Sequence, residues 1–331
     1  MAKSPKAIIK LLVVAPSWIG DTIMMQPLLM RLHRQHPDAE IHVLAPAWSA
    51  PLLARMPEVT TTLENPFAHG AFDWAGRKAL GCRLTSTDFL AAYVLPNSWK
   101  SALVPFFANI PERIGYTGEA RFILLNQRHP KSTLPRLVDR YAALAGHFDD
   151  PTPNPRLTST PAQQQAAHAV LGLSADSTPI IFCPGAEYGP AKRWPIHHFS
   201  ALAKKLTAPV WIVGSAKDAL VGEAIAQQSD GAALNLCGKT NLAQAIDLIA
   251  SARAVVTNDS GLMHVAAALD RPLVALYGSS CPGYTPPLSA HATILSLGLE
   301  CSPCFKRECP LGHLHCLEDI SPEHVFAALP N

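Results

Sequence analysis

The sequence lacks an uninterrupted apolar run of the ~18 residues that a membrane-spanning helix needs, so no such span is predicted. Charged residues are scarce: they make up 16% of a chain that is 48% hydrophobic, which excludes a disordered polymer and predicts a large buried core. Low-complexity tracts and internal repeats are absent as well. The length of 331 residues is enough for about two domains.

Charge of both signs is nearly balanced at a formal +2, but it is unevenly distributed. Residues 1–160 have a net charge of +5, and residues 161–331 have a net charge of −3. The first half therefore suits an anionic partner, although its basic residues are too widely spaced for a nucleic-acid-binding protein. An ordinary solvated surface is the competing interpretation.

The first residues, Met1 to Trp18, place two lysines before an apolar stretch, as a signal peptide does. Lys10 interrupts that stretch, and Ile8–Val14 is better interpreted as a buried first strand. Eight cysteines in 331 residues do not make a disulfide scaffold. We therefore expect a cytoplasmic protein.

Short runs of valine, isoleucine and leucine alternate with helix-length segments, a pattern typical of parallel sheets covered by helices on both faces. We predict an α/β chain with an N-terminal Rossmann-like domain over residues 1–150, a linker over 151–160 and a C-terminal Rossmann-like domain over 161–331. Three prolines in Asp149–Arg156 favour an extended connection there. The clearest predicted strands are Ile8–Val14, Ile41–Leu44, Ala91–Leu95, Ile180–Cys183, Val210–Val213, Ala254–Thr257 and Leu273–Tyr277.

Ligands of open α/β sheets bind beyond the carboxyl ends of the strands, so each strand-to-helix turn is a candidate site. The first turn, Pro16–Asp21, ends in an acidic residue at the start of a helix that is predicted to run through Met30. It lacks the G-x-G-x-x-G fingerprint, which disfavours a dehydrogenase. Position alone favours Asp21 as a carboxylate that stabilises its own helix. The functional alternative is a general base that deprotonates a hydroxyl.

Three turns in the second half have the residues expected of a nucleotide-diphosphate site. Pro184–Pro195 contains the adjacent cations Lys192 and Arg193, and Gly214–Asp218 follows the next predicted strand. The third turn, Asn258–Gly261, opens a helix whose first N–H groups suit phosphate, with the two cations as compensating charge.

Each residue of the third turn also has a simpler explanation. Helix capping accounts for Asp259 and Ser260 equally well, and His264 alone is more typical of a core histidine. If the site is functional, Asp259 suits a ribose or sugar hydroxyl better than a phosphate. The convergence of three turns at successive strand ends favours the nucleotide site.

Taken in order, these segments resemble glycosyltransferase family 9, and the similarity runs from about residue 8 to about residue 330. It implies a GT-B fold, in which two Rossmann-like domains face each other across a cleft that closes during reaction. The acceptor would bind the N-terminal domain and the donor the C-terminal one, and the C-terminal helix could pack back on the N-terminal domain. The matching strings are Pro16–Asp21, Leu95–Ala102, Pro184–Pro195, Gly214–Asp218, Thr257–Ala268 and Pro272–Gly278.

The similarity is greatest to the branch that adds the second heptose of the lipopolysaccharide core. It implies inverting transfer of L-glycero-D-manno-heptose from ADP-L-glycero-D-manno-heptose to the first heptose of heptosyl-Kdo2-lipid A. The alternatives are another family 9 transferase, of heptosyltransferase I or III type, and a non-catalytic nucleotide-sugar-binding protein. No nucleic acid and no catalytic cofactor are implied, and a D-x-D metal motif is absent. Because the acceptor is a lipid, peripheral contact with the cytoplasmic face of the inner membrane is expected.

The resemblance also implies roles for single residues. Asp21 matches the catalytic base, and Lys192 matches the lysine that contacts the donor's phosphates. The implied donor-binding set is Glu187, Lys192, Arg193, Ser215, Thr240, Asp259, Ser260, Gly261 and His264. The expected acceptor-binding set is Asn97, Ser98, Lys100 and Arg121. Lys100 and Arg121 also belong to a wider basic group expected to face the anionic acceptor: Lys100, Arg113, Arg121, Arg128, Lys131, Arg136 and Arg140.

Four cysteines fall within sixteen residues near the end of the chain: Cys301, Cys304, Cys309 and Cys316. Their spacing, with His313 and His315 inside it, fits a structural zinc site. Free thiols and disulfides remain the alternatives.

Overall fold

The computed structural model describes residues 8–68 and 70–330. The chain divides into two compact units, Met1–Pro153 and Asn154–Asn331, and each contains a six-stranded sheet with parallel strand pairs. The predicted α/β class with two Rossmann-like sheets is confirmed. In the described residues, every helix is too short or too polar to cross a bilayer.

The sheet of the first unit has the strand order β3-β2-β1-β4-β5-β6. Its strands are β1 (Lys10–Val14), β2 (Glu40–Ala45), β3 (Thr61–Glu64), β4 (Ala91–Val94), β5 (Glu112–Tyr116) and β6 (Gln127–His129). Its helices are α1 (Ile19–Met24), α2 (Gln26–Gln35), α3 (Ala50–Leu53), α4 (Trp74–Leu84), α5 (Leu103–Phe107) and α6 (Leu137–Ala142).

The strand order of this sheet reverses between β1 and β4, whose last residues, Val14 and Val94, pair directly. In open α/β sheets the ligand crevice lies at such a reversal, beyond the carboxyl ends of the strands. The loop after β1 leads to Asp21 and the loop after β4 contains Asn97 to Lys100. The topology therefore brings the two predicted functional segments of this unit to one edge of the sheet.

The sheet of the second unit has the order β12-β11-β10-β7-β8-β9. Its strands are β7 (Ile180–Cys183), β8 (Val210–Ile212), β9 (Ala233–Asn235), β10 (Ala254–Asn258), β11 (Leu273–Leu276) and β12 (Ala292–Leu295). Its helices are α7 (Pro161–Val170), α8 (Ile196–Lys205), α9 (Ala219–Gln228), α10 (Leu242–Ser251), α11 (Gly261–Ala268), α12 (His315–Glu318) and α13 (Pro322–Ala328).

The order reverses here between β10 and β7, where Thr257 pairs with Cys183. The loops after these two strands, 184–195 and 259–260, therefore leave the sheet side by side. The core behind them is apolar and contains the buried side chains of Phe182, Phe199 and Val256. The last helix, α13, packs on α8 of the same unit and inserts Val325 into this core.

The predicted helix from Asp21 through Met30 is two helices, α1 and α2, joined at Met25. Pro27 has no N–H to donate to the previous turn, so one hydrogen bond is lost at the junction. The predicted strand Ile8–Val14 begins later, at Lys10, and Ile8 is exposed.

Candidate active site

The centre of the candidate site in the second unit is an ion pair between Lys192 and Asp259. The Nζ of Lys192 lies 2.5 Å from Oδ2 of Asp259, and the side chains are only 17% and 5% exposed. Lys192 ends a short 3-10 turn after β7, and Asp259 directly follows β10. The two residues are 67 positions apart in the sequence, and they meet because β7 and β10 are neighbours in the sheet. The ion pair therefore fixes the position of the Lys192 side chain.

The hydroxyl of Ser280 donates a second hydrogen bond, of 2.5 Å, to the same Oδ2 of Asp259. Ser280 lies just beyond β11, the strand beside β10. Ser280 is not among the residues predicted from the sequence, although its place in the turn after the predicted strand Leu273–Tyr277 is a signal that could have indicated it. Lys192 and Ser280 together compensate the buried carboxylate, which would otherwise be costly to hold in its charged form.

The helix start beside this pair is open. Ser260 is the N-cap of α11 but makes no side-chain cap hydrogen bond, and Ser260 and Gly261 are half-exposed. By contrast, Asn241 and Gln244 form a full capping box on α10. The first N–H groups of a helix together with its dipole attract anions. The arrangement of Lys192 beside this helix start suits a phosphate group.

His264 lies one turn into α11 and is 5% exposed. Burial lowers the pKa of its imidazole to about 4, although nearby Asp259 acts in the opposite direction. The ring is therefore neutral at physiological pH. A neutral imidazole can donate or accept a hydrogen bond beside the helix start without adding charge.

Two more residues that the sequence analysis did not single out organise the same loops. Asn258 is fully buried; its side chain accepts from the Trp194 N–H at 3.0 Å and donates to the Pro184 carbonyl at 2.7 Å. Tyr188 places its ring 5.3 Å from the Lys192 ammonium. Asn258 therefore fixes both ends of the loop after β7, and Tyr188 covers Lys192.

The remaining predicted donor residues have varied surroundings. Glu187 forms an exposed pair with Lys217 at 2.5 Å, and Ser215 donates to Asp218 at 2.7 Å. Arg193 extends toward the Ala186 carbonyl at 3.4 Å, and its Nε is buried without a partner. Thr240 is half-exposed before α10. Their contact with a donor stays a prediction.

In the first unit, Asp21 lies in the first turn of α1 and is half-buried. Its backbone carbonyl accepts from the Met25 N–H, so the residue belongs to the helix and is fixed in direction. The helix start favours the ionised carboxylate, which is the form that accepts a proton. The position is consistent with both the capping and the general-base interpretations.

The expected acceptor residues differ in accessibility. Asn97 is exposed, and Ser98 and Lys100 are half-exposed on the loop after β4. Arg121 is only 2% exposed and donates to the carbonyls of Pro96 and Tyr116 and to the side chain of Asn97. Burial also lowers the pKa of its guanidinium. In this structure Arg121 therefore holds the Asn97 loop in position, and its contact with an acceptor stays a prediction.

Several arginines of the wider basic group are likewise bonded to the protein itself. Arg113 donates to the carbonyls of Ile110 and Leu124, and Arg136 forms an ion pair with Asp139 at 2.7 Å. These guanidinium groups hold loops of the protein in place, so they are less available to an acceptor than the predicted basic group requires. Lys100 and Lys131 remain at the surface.

An exposed aromatic stack lies next to the Asn97 loop. Trp99 stacks on Phe72 and on Trp74, with ring centroids 6.0 and 5.9 Å apart. Phe72 is 52% exposed and Trp74 is 44% exposed, which is unusual for side chains of this size. Trp99 therefore packs on aromatic rings that are themselves open to solvent.

The four clustered cysteines are all free thiols, and Cys301 is exposed while the other three are half-buried. Burial raises the pKa of the Cys316 thiol, and the nearby Cys301, Cys309 and Cys304 act in the same direction. We searched the described residues for groups of three or more histidine, cysteine or acidic side chains that could share a metal ion. One group has all its ligand atoms within 4.8 Å of one another, and it consists of His197, His198 and Glu318. The zinc site stays a prediction.

Comparison with known proteins gives a consistent result. Residues 77–315 match the model of "Glycosyltransferase family 9 (heptosyltransferase)". The chain is 46% identical to lipopolysaccharide heptosyltransferase 2 of Salmonella typhimurium over 97% of both chains. It is 48% identical to lipooligosaccharide heptosyltransferase 2 of Haemophilus influenzae, over 96% of this chain and 98% of that one.

Among solved structures, the chain matches the ADP-heptose LPS heptosyltransferase II of E. coli with a TM-score of 0.87. The sequence identity is 43%, and 97% of each chain is covered. The heptosyltransferase WaaC of E. coli with ADP matches with a TM-score of 0.72 at 19% identity, which supports the fold alone. The predicted GT-B fold class is confirmed by these matches.

Proposed function

Because this chain belongs to glycosyltransferase family 9, the heptosyltransferases, we propose that it transfers heptose from ADP-L-glycero-D-manno-heptose to the first heptose of heptosyl-Kdo2-lipid A. The enzyme is a glycosyltransferase that moves heptose in lipopolysaccharide core biosynthesis. The observation that carries the donor half is the Lys192–Asp259 pair beside the open start of α11.

In the proposed complex, the diphosphate of the donor binds at this helix start. Ser260 and Gly261 offer N–H groups, and Lys192 offers a half-buried cation that its ion pair holds in position. As the bond between the anomeric carbon and the ADP oxygen breaks, negative charge grows on the departing ADP. A preorganised cation and helix start stabilise this charge without reorganising, which is how such sites lower a barrier. Asp259 keeps Lys192 oriented and offers an oxygen to a ribose or sugar hydroxyl.

Asp21 is the proposed base. The acceptor hydroxyl attacks the anomeric carbon on the face opposite the departing ADP, so the configuration inverts. A new carbon–oxygen bond forms, the bond to ADP breaks, and the hydroxyl proton passes to the Asp21 carboxylate. A carboxylate at a helix start is a weak base, but the oxocarbenium-like transition state makes the attacking hydroxyl acidic enough for it.

The test measures ADP release and product mass with ADP-L-glycero-D-manno-heptose and two acceptors, Kdo2-lipid A with and without one heptose. We expect turnover on the heptosylated acceptor. Asp21→Asn should abolish transfer while ADP binding is retained, and Asp38→Asn, the same change at an exposed turn, is the matched control. Near-normal turnover of Asp21→Asn would remove the residue from the base role.

The two acceptors also separate the alternatives. Turnover on the acceptor without heptose would assign the first transfer, the reaction of a heptosyltransferase I type. If neither acceptor is turned over but ADP still binds, the result would favour a nucleotide-sugar-binding protein without this activity.

Contact with the membrane is a finer part of the proposal, and it rests on the exposed stack of Phe72, Trp74 and Trp99. Aromatic side chains with a polar edge favour the interface between lipid and water, and Lys78 and Lys100 offer nearby positive charge. Co-sedimentation with vesicles that contain anionic lipid tests it. Trp74→Ala should lower the bound fraction severalfold relative to wild type, and equal binding would exclude the stack as the contact.

A further inference from the structure

The neighbouring strands β1 and β2 end in the same short pattern of residues. Residues 13–18 and residues 43–48 both follow the pattern V-x-A-P-x-W. The two strands pair in register over this pattern, with Val13 opposite Val43. Because parallel strands end at the same edge of a sheet, the tryptophan that closes each pattern lies at the edge that holds Asp21.

These two tryptophans, Trp18 and Trp48, are exposed to solvent. Their exposed fractions are 48% and 42%, whereas the alanines of the same pattern, Ala15 and Ala45, are 2% and 0% exposed. A tryptophan is normally buried over most of its surface, because its burial removes a large apolar area from water. Exposure at two equivalent positions beside a candidate site indicates a surface that a ligand covers.

The backbone of Trp18 is held firmly in place. Trp18 is the N-cap of α1, and its carbonyl accepts from the N–H and from the hydroxyl of Thr22, both at 2.8 Å. Thr22 itself is fully buried. Asp21 lies between these two residues in the sequence, in the first turn of the same helix. The exposed indole and the proposed base are therefore carried by one rigid turn.

The backbone of Trp48 is fixed in a similar way. Trp48 lies inside a short 3-10 turn, Ala47–Ser49. Ser49 is buried, and its N–H and its hydroxyl both donate to the Pro46 carbonyl, at 2.9 and 2.7 Å. An aromatic ring on a backbone that is already ordered loses less entropy when a ligand binds to it. Both tryptophans therefore have the rigid support that a binding surface needs.

The loops that carry the two tryptophans favour an uncharged ligand. Residues 15–20 and 45–50 contain no charged side chain. A surface that binds anionic lipid combines aromatic with basic residues, as the aromatic stack beside the Asn97 loop does with its nearby lysines. A neutral pyranose ring has an apolar face of C–H groups, which matches the electron-rich face of an indole. The two exposed indoles are therefore better suited to a sugar than to a lipid surface.

We infer that Trp18 and Trp48 form an aromatic platform that binds the sugar rings of the acceptor by stacking. The platform holds the acceptor hydroxyl near Asp21, because a general base must lie within hydrogen-bond reach of the proton that it accepts. The Asn97 loop offers polar groups to the acceptor, and the platform adds an apolar surface. The identity of the acceptor rests on the proposed function, whereas the class of ligand, a neutral pyranose, rests on the two indoles and their uncharged loops.

The first experiment measures binding without transfer. The probe is heptosyl-Kdo2-lipid A whose acyl chains have been removed, titrated into the protein in a calorimeter without donor. Trp18→Ala and Trp48→Ala should each raise the Kd about three- to tenfold, and the phenylalanine variants Trp18→Phe and Trp48→Phe should recover most of the affinity. Phe326→Ala, which removes a ring that is 46% exposed on α13, is the matched control and should leave the Kd unchanged. An unchanged Kd in both alanine variants, or a wild type that does not bind the probe, would overturn the inference.

The second experiment separates sugar from lipid by comparing transfer to the intact and the deacylated acceptor. Trp48→Ala should raise the acceptor KM with both, while kcat and the donor KM stay within about twofold, because a contact made equally in the ground and transition states affects binding alone. A higher KM with the intact acceptor alone would assign the tryptophan to lipid and refute the platform. A wild type that binds the probe but transfers to neither acceptor would refute the proposed function, and the Kd values would then decide the platform by themselves.

Discussion

The ion pair of Lys192 and Asp259 predicts how far the loss of its cation lowers the free energy of unfolding. Lys192→Met removes the cation but keeps the length of the side chain, and it leaves a carboxylate that is 5% exposed. Breaking a buried pair costs about 3–5 kcal/mol. Here we expect a smaller cost, about 2–3 kcal/mol, because Ser280 still donates to Asp259 and Lys192 is partly exposed. For a unit of about 180 residues this corresponds to a fall in Tm of about 6–10 °C.

The exposed pair of Lys217 and Glu187 is the matched control. It has the same 2.5 Å separation, but its side chains are 73% and 52% exposed. Lys217→Met should therefore leave the unfolding free energy unchanged within error. The difference between the two variants isolates the effect of burial on an ion pair of equal geometry.

Binding of ADP separates the structural role of Lys192 from its role toward the ligand. Loss of one charge-assisted hydrogen bond to phosphate costs about 1.5–3 kcal/mol, which raises the Kd of ADP about 10- to 150-fold. Adding Asp259→Asn to Lys192→Met removes the uncompensated charge, so the double variant should recover most of the stability and none of the ADP affinity. Calorimetry and urea unfolding measure both.

Two results would refute this reasoning. One is a Lys192→Met protein that unfolds like Lys217→Met and binds ADP normally. The other is recovery of ADP affinity in the double variant, which would mean that Lys192 acts only by neutralising Asp259.

Two further predictions follow from burial. Burial lowers the pKa of His264 to about 4 in the folded chain. As the pH falls, the unfolded chain therefore takes up a proton on this residue before the folded chain does. The free energy of unfolding should decrease by about 3 kcal/mol between pH 7 and pH 4 as a result. His264→Gln should unfold with a weaker pH dependence in that range, and an identical dependence would contradict the burial of the neutral ring. Arg121→Lys should lower the unfolding free energy by about 2 kcal/mol, because a single ammonium cannot reach the acceptors of a buried guanidinium. Lys131→Ala is its exposed control, and equal unfolding of the two would restore Arg121 to the surface.

The central strands were predictable from the sequence because they are buried on both faces. β1, β7 and β10 are near-continuous apolar runs, and such runs are distinctive whatever surrounds them. The edge strands β6 and β9 are three residues long and contain exposed polar positions or few apolar ones, so no periodicity marks them. These segments are strands because they pair with neighbouring strands of the sheet, and their composition alone does not indicate it.

The site was predictable as a set of turns but not as a set of contacts. Lys192, Asp259 and Ser260 follow predicted strands, and the rule that ligands bind at strand ends selects them. The pairing of Lys192 with Asp259 depends on the strand order, which a single sequence does not specify. The burial of Arg121 was likewise hidden, because arginine is ordinarily a surface residue and its acceptors are carbonyls that any sequence has.

The open start of α11 has a consequence for evolution. A serine that could cap its helix makes no cap bond, whereas the capping boxes of α7 and α10 are complete. A good cap stabilises a helix by about 1 kcal/mol, so this helix is kept below the stability its sequence could reach. Ser260→Asp, which would cap it and place a negative charge there, should make the chain harder to unfold and poorer at holding a phosphate. Selection for thermal resistance alone would therefore favour a substitution at this residue that weakens phosphate binding.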